Sequence, residues 1–475
     1  MKLAKYTSPV SLLRVRLSVK AVRTLACERI FLFLVLVGLP LAAAAQDGSY
    51  DVQANGADPT GTKDSTTAVQ TTINNAGAAG GGIVYFPPGT YVVAGAHPAS
   101  NVTLRGAGAA SVLKNNSGTH IIDGTASGSL TYHDFVVEDL TFIGTVPVPS
   151  PIIGPINQGA KGSPGNGADV GVWIEGSLDM ADGSFNPVTN ITIRRCNFRN
   201  LSGAPIKMLG ISGKAIVLDS EFYNSADPGW VYDQEVICSN SHSYLSGDNG
   251  FSFSRGNRKM TITNNTSELA AQAGMYLGGY NGQLAADDFT VTGNTIISPG
   301  GVGISLLDAP MRGTISGNTI NKNGIRGTVD SPDDVWQWGI MVRGEPPSGP
   351  GINSPTAFAT YLNITGNTIY EASRGGIYLQ ACKGVLVSNN VIGDTGTPTD
   401  SRGNPISPTD PTENVGILAD RTSTISNLFV FNNVMLDQRS TPLMNYGLYP
   451  SQSTFPSSAG TAVNNYANVT RSGVY

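Results

Sequence analysis

The chain has 475 residues, a formal net charge of −5, only 13% charged residues and 58 glycines. That length ordinarily means two or three domains, and the acidity argues against broad nucleic-acid binding. Beyond residue 45 the cysteines are Cys196, Cys238 and Cys382, and the four histidines lack i/i+3 or i/i+4 pairing, so a disulfide framework, a metal–thiolate site and a His-rich metal site are all disfavoured.

Residues 1–45 read as a secretory signal peptide. Lys2, Lys5, Arg14, Arg16, Lys20, Arg23 and Arg29 precede an apolar run from Ile30 to Leu41, and Ala43-Ala44-Ala45 offers a small-residue cleavage site. The run is shorter than the ~20 residues of a comfortable membrane span; an uncleaved anchor is the competing reading. The segment carries seven basic residues and Glu28, a charge of +6, so its removal from a chain at −5 leaves a mature chain near −11. The expectation is a secreted protein, extracellular or periplasmic, with no nucleic-acid partner and no stable membrane insertion after cleavage.

Residues 50–93 open the folded part. Asp64 or Ser65 is placed to cap a short helix, whose apolar stripe is Ala68, Val69, Thr72, Ile73 and Ala76. Such a helix covers the first turn of a stack that otherwise exposes a sheet edge. Ile83-Val84-Tyr85-Phe86 and Tyr91-Val92-Val93 then read as the first strands, while Asp51 and Asp64 read as turn and cap residues rather than catalysts.

The run Tyr50-Asp51-Val52-Gln53-Ala54-Asn55-Gly56-Ala57-Asp58-Pro59-Thr60-Gly61-Thr62-Lys63-Asp64-Ser65, followed by Gly80-Gly81-Gly82-Ile83-Val84-Tyr85-Phe86-Pro87-Pro88-Gly89-Thr90-Tyr91, resembles the opening of the pectate-lyase-superfamily domain of rhamnogalacturonase-like and epimerase-like proteins. The resemblance covers residues 50 to about 435. It implies an all-β, right-handed parallel β-helix with a short N-terminal capping helix, and an activity on polysaccharides.

From Asn101 onward the sequence is a repeat. Its first part is I-x-x-N-x-I, clearest at Ile364-Thr365-Gly366-Asn367-Thr368-Ile369, with copies at Asn265, Asn294, Asn318, Asn390 and Asn433 and degenerate ones at Cys196, Ser220 and Asn240. Its second part is an apolar pair: Ile206/Met208, Phe251/Phe253, Met275/Leu277, Ile304/Leu306 and Ile377/Leu379. Two short period-2 segments per unit predict two strands, each with one buried face. A unit of this size buries that face only by stacking on its neighbours, which points by itself to a parallel β-helix. The Asn position then forms a column of side-chain amides, and the preceding Gly or Asn suits a positive-φ bend. The β-helix is expected over residues 46–436, with residues 437–475 as a C-terminal segment covering the last rung.

Insertions at 144–170, 322–338 and 393–415 enter the unit at one connection, and those at 175–190, 278–288 and 343–361 at another. Insertions gathered along a rigid solenoid make groove walls. Trp336 and Trp338 offer a sugar-stacking platform, or else pack their loop against the stack.

The middle rungs, residues 193–262, hold the densest polar set. Alignment of the units puts Lys207, Val231, Ser252 and Tyr276 in one outward column, with Asp233 near Lys207 and Arg255. The candidate catalytic residues are Asp227, Tyr232, Asp233, His242 and Asp248; the candidate substrate-binding residues are Arg194, Lys207, Arg255, Arg258, Trp336 and Trp338. Paired carboxylates suit an inverting hydrolase. A cation to neutralise a sugar carboxylate, a base for the adjacent proton and a group to return one suit a lyase or epimerase. Carboxylates on rung turns also serve merely as caps.

Hydrolases of the polygalacturonase type carry an Asn-Thr-Asp segment, an Asp-Asp pair, a Gly-His-Gly and an Arg-Ile-Lys, and Asp287-Asp288 and Asp333-Asp334 lack the expected neighbours. Alginate epimerases carry Asp-Pro-His, where this chain has Asp227-Pro228-Gly229. Calcium is a candidate cofactor through the resemblance, without a diagnostic calcium loop. The reading favoured is a secreted protein that cleaves or epimerises an acidic, uronate-containing polysaccharide; a glycoside hydrolase and a non-catalytic glycan-binding or surface β-helix are the alternatives.

Overall fold

The computed structural model describes residues 48–115, 118–125, 131–146, 169–176, 178–179, 184–185, 188–279, 285–324, 337–344, 358–399, 405–407, 413–420, 424–451, 455–457 and 459–469. The predicted signal peptide lies outside them.

Each I-x-x-N-x-I segment folds as two strands with a corner between them. Ala359–Thr365 ends at Gly366-Asn367, Thr368–Tyr370 continues in a second sheet, and Gly375–Gln380 adds to a third. The expected two strands per unit are therefore three. The corner is made by the residue before each Asn: Asn264, Gly293, Gly317, Gly366, Asn389 and Asn432 have φ between 56° and 67°. That left-handed conformation costs Gly and Asn little and other residues more.

Stacked coils give three parallel sheets. Among the described residues, sheet A has 14 strands from Ser49–Asp51 to Gly460–Val463. Sheet B has 14, from Thr60–Asp64 to Tyr466–Asn468, and sheet C has 11, from His120–Gly124 to Tyr446–Tyr449. Like residues stack in register: Ile315, Ile364, Val387 and Val430 in A; Ile320, Ile369, Ile392 and Met435 in B; Ile340, Ile377, Ile417 and Leu448 in C. All are fully buried, each contributing about 1.5–3 kcal/mol of apolar burial.

The A–B corner is held by the predicted amide column. Asn265, Asn294, Asn318, Asn367, Asn390 and Asn433 each donate from Nδ2 to the Oδ1 of the next Asn at 2.9–3.1 Å, and from the backbone N–H to the same oxygen. The second Nδ2 proton reaches a backbone carbonyl, as from Asn318 to Val291 at 2.9 Å. Toward the N-terminus the column continues as Ser241, Ser220 and Cys196.

Asn240, expected in this column, is one residue out of it. Cys238 rather than Ile237 pairs with Ile262, and Asn240 is exposed at the left-handed corner with its amide on Asp219. A one-residue slip exchanges the faces of a strand. With Ser241 in place, the interval to Phe251 becomes the ten residues seen from Asn265 to Met275.

Helix α1, Thr66–Ala78, buries Val69, Thr72, Ile73 and Ala76 against the first strands of sheet A. Thr66 N–H donates to Asp64 at 2.8 Å, while Ser65 Oγ accepts instead from Asp58 N–H. At the other end the coil continues beyond residue 436, correcting the expected covering segment. Tyr446–Tyr449, Gly460–Val463 and Tyr466–Asn468 extend sheets C, A and B, and Asn465 extends the column. Rungs persist there because Leu448 and Ala462 still supply inward apolar residues.

The two rows of insertions leave from the two long edges of sheet C. The first row separates B strands from C strands (Thr141–Ile143 from Val170–Glu175), and the second separates C strands from A strands (Met275–Gly278 from Asp287–Thr292). Sheet C is thus the floor between them.

The ladder makes a prediction. Asn318→Ala removes the acceptor of two buried donors of Asn294, at ~1–3 kcal/mol each, and should lower stability by about 3 kcal/mol. Asn240→Gly, which tolerates the left-handed corner and removes only an exposed amide, should stay within about 0.5 kcal/mol. Urea midpoints of the two variants check both values; equal losses would refute the assigned register.

Candidate functional site

The outward face of sheet C collects only part of the predicted set. Register there runs Asp123, Trp173, Lys207, Gly229, then Ser252 and Tyr276. Gly229 holds the place expected of Val231, which pairs with Leu209 and Ser254 instead. The cause is a shorter corner: ten residues separate Phe198 from its rung partner Met208, and only eight separate Phe222 from Trp230. Asp227-Pro228 makes that tighter turn.

Lys207 is half-buried on this floor. A Cβ at Gly229 would lie 2.9 Å from its Nζ, so the ammonium rests over the glycine. Tyr232 and Arg255 follow at the C–A edge, both with left-handed φ, and Tyr232 N–H donates to the Arg255 carbonyl at 3.1 Å. The Tyr232 hydroxyl is buried, with no hydrogen-bond partner among the described residues. Burial raises the pKa of this phenol and the Arg255 charge acts against that rise, so the hydroxyl is a proton donor rather than a phenolate at neutral pH. Asp227 and Asp248 stand half-buried at the B–C edge, where Asp248 Oδ1 accepts from Asn249 Nδ2 at 3.1 Å. Lys207, Tyr232, Arg255, Asp227 and Asp248 therefore border one floor.

The remaining candidates do not reach it. Asp233 is fully buried in the C–A corner, where its Oδ1 accepts from Ile211 N–H at 2.7 Å and its own N–H donates to Asn257 Oδ1 at 2.8 Å. It occupies a rung of a second side-chain ladder. Burial drives its carboxyl pKa well above the ordinary value, against the bonds from Ile211 and Val231 and the charge of Lys207. His242 lies on the outward face of sheet B, 3.8 Å from Glu268, because the one-residue slip described above turns it away. Arg194 lies on sheet A. Glu138, whose side chain is 1% exposed, pairs with Arg105, with Arg194 at 2.6 Å and with Arg195 at 3.1 Å, so these basic residues fasten rungs together. Arg258 is exposed at the start of a sheet A strand, in register with Asp287.

Trp338 is fully buried, its ring 5.2 Å from Tyr378 and 5.8 Å from the Arg374 guanidinium. It packs and offers no open platform; Trp336 lies outside the described residues.

One aromatic that the floor presents, besides Tyr276, was missed in the sequence. Trp173 stacks on His120 at 4.8 Å and 5°, and its indole N–H donates to Glu175 at 3.1 Å. Its rung follows the long 144–170 insertion, which breaks the repeat spacing. The alternation Val170, Val172, Ile174 was the available signal. Among the described residues no three His, Cys, Asp or Glu side chains gather in a way that could hold a metal ion, so the calcium expectation finds no ligand set there. No helix among them is long and apolar enough to cross a membrane.

A family model described as "Right handed beta helix region" matches residues 183–335. The fold is a right-handed parallel β-helix. Mannuronan C5-epimerase AlgE1 of Azotobacter vinelandii is 29% identical over 249 residues, 49% of this chain and 16% of its own length. Alginate lyase 7 of the same organism is 29% identical over 218 residues, 42% of this chain and 23% of its own. The chain spans less than a quarter of these relatives. Among solved β-helices, the A. vinelandii AlgE6 epimerase A-module aligns over 89% of this chain and 97% of the module (TM-score 0.51, 18% identity). The Streptococcus pneumoniae adhesin PfbA aligns over 82% and 90% (0.54, 15%). A Yersinia enterocolitica family 28 exopolygalacturonase aligns over 75% and 76% (0.52, 12%). At these identities the solved structures share the fold alone.

The Asp233 corner yields a pH prediction. A folded-state pKa raised above the unfolded ~3.9 contributes stability below that value, which is lost as pH rises through the folded pKa. Asp233→Asn keeps the acceptor and removes the titration. Its stability advantage over the wild type should therefore grow from pH 4 to pH 8, as urea midpoints would reveal; a constant offset would show that the carboxyl does not titrate as argued.

Proposed function

We propose that the protein is a secreted carbohydrate-active β-helix that binds an acidic polysaccharide along sheet C and cleaves or epimerises it at a uronate. Lys207 and Arg255 neutralise the sugar carboxylate, which lowers the cost of removing the adjacent proton. Asp227, at the edge of the floor two residues before Gly229, is the base, and Tyr232 returns a proton to the sugar carbon or to the leaving oxygen. The observation that carries this reading is the Lys207 ammonium over Gly229, on a rung whose C–A edge carries Tyr232, with a buried hydroxyl that has no hydrogen-bond partner among the described residues. A buried polar group left unsatisfied calls for an explanation, and a ligand that completes it is one. The names mannuronan C5-epimerase and alginate lyase point the same way.

One observation favours a second reading, non-catalytic glycan binding. The Asp-Pro-His pattern noted in the sequence reads Asp227-Pro228-Gly229 here, without the histidine, and the Lys207 ammonium lies over the glycine.

The test incubates the mature chain, with and without calcium, with pectate, rhamnogalacturonan and alginate. Ultraviolet absorbance reports the unsaturated uronate of β-elimination, proton NMR reports C5 inversion, and a reducing-end assay reports hydrolysis. Product is expected by elimination or inversion, and Lys207→Met should lower kcat/KM by on the order of 100-fold. New reducing ends without unsaturation would identify a hydrolase. Binding without product would establish the second reading, and neither binding nor product would overturn both.

A further inference from the structure

The floor of sheet C carries an uneven charge pattern. Its cations stand in the middle rungs, at Lys207 and Arg255. One rung toward the N-terminus, about 4.8 Å away along the stack, Trp173 and Lys207 are in register, and Asp123 is the next residue of that column. On those two strands, His120–Gly124 and Val170–Glu175, the titratable groups are His120, Asp123 and Glu175. His120 Nδ1 is 3.3 Å from Asp123 Oδ1, which also accepts from Thr125 N–H at 3.0 Å. Trp173 is locked by the His120 stack on one side and by Glu175 at its N–H. It is half-buried, and the Asp123 side chain is 26% exposed. Toward the C-terminus the same face turns apolar through Met341 and Leu418. Its arginines there are engaged, Arg343 on Gln380 and Arg374 on Glu413.

A rigid aromatic flanked by carboxylates matches one chemistry well. Carboxylate oxygens accept hydrogen bonds from sugar hydroxyls, and an aromatic ring gives apolar contact to a pyranose at small entropic cost. The same pair of carboxylates repels an anionic neighbour. A homopolymer of uronates bound at Lys207 would present its next carboxylate to Asp123 and Glu175.

We propose that Trp173, Glu175 and Asp123 form a neutral-sugar subsite next to the uronate subsite at Lys207, so that the preferred polymer alternates or interrupts its uronates with neutral residues. This rests on the acidic-polysaccharide reading above and adds which polymer of that class is taken. Trp173 reads the sugar face, and the two carboxylates both bind hydroxyls and exclude a second uronate.

The experiment measures affinities of the mature chain for two probes: the rhamnogalacturonan backbone, in which uronate alternates with a neutral sugar, and polymannuronate, in which it does not. The wild type should favour the alternating polymer by at least ~10-fold, a factor equal to about 1.4 kcal/mol. The paired substitution Glu175→Gln and Asp123→Asn keeps volume and acceptors while removing the charges, so it should erase most of that ratio by strengthening polymannuronate binding. Trp173→Ala should weaken the alternating polymer about tenfold, and thermal melts of each variant exclude unfolding as the cause. A wild type that prefers polymannuronate, or a ratio untouched by the paired substitution, overturns the subsite. Binding of neither polymer sinks the acidic-polysaccharide reading instead. The subsite then stands only if neutral galactan quenches tryptophan fluorescence in the wild type and not in Glu175→Gln, and it falls otherwise.

Discussion

The structure depends on a hydrogen-bonding problem solved once per coil. Every turn of the chain between sheets A and B takes a backbone N–H out of the sheet ladders and into the protein interior, where an unmet donor is costly. Asparagine meets that demand with one side chain: its oxygen accepts two protons from the coil before it, and its amide donates to the next Asn and to a carbonyl. The amide stack fixes where the corner falls, and that fixes which residues of the flanking strands point inward. Isoleucine stacking then follows from register rather than establishing it.

With the interior committed to stacking, the three outer faces differ in what their polar residues do. Sheet A spends arginines on Glu138, whose carboxyl burial tends to raise in pKa but Arg105 and Arg194 hold below its usual range. On sheet B, His242 faces Glu268. Sheet C alone is bordered by long connections on both edges, and Lys207 on its floor and Tyr232 and Arg255 at its C–A edge belong to the rungs 206–255. The candidate site lies on the face where the coil is interrupted on both sides.

Much of this was legible in the residues. The amide column, the positive-φ corner and the capping helix follow from spacing and residue type. What was not legible came from corners of variable length. The tight Asp227-Pro228 turn shifts Val231 off the lysine column, and the substitution of Ser241 for Asn hides the true corner beside Asn240, sending His242 to the wrong face. Asp233 looked like a groove carboxylate because a strand pattern gives no sign that a corner closes over it. Trp173 was hidden behind an insertion that erased the repeat, and Trp338 looked available because sequence does not show Tyr378 and Arg374 beside it.

The amide column also changes composition along its length. From Asn265 to Asn465 each step carries two N–H bonds to the same oxygen, whereas at Cys196, Ser220 and Ser241 it carries one N–H, joined at Ser241 only by the weak Cys238 thiol donor. Those three rungs are the ones beneath Lys207, Gly229 and Ser252. Amide protons there should exchange with solvent faster than in the asparagine-stacked half, because opening one of these coils breaks fewer bonds. The candidate site thus stands over rungs whose corners are more lightly tied than those of the asparagine-stacked coils that follow them.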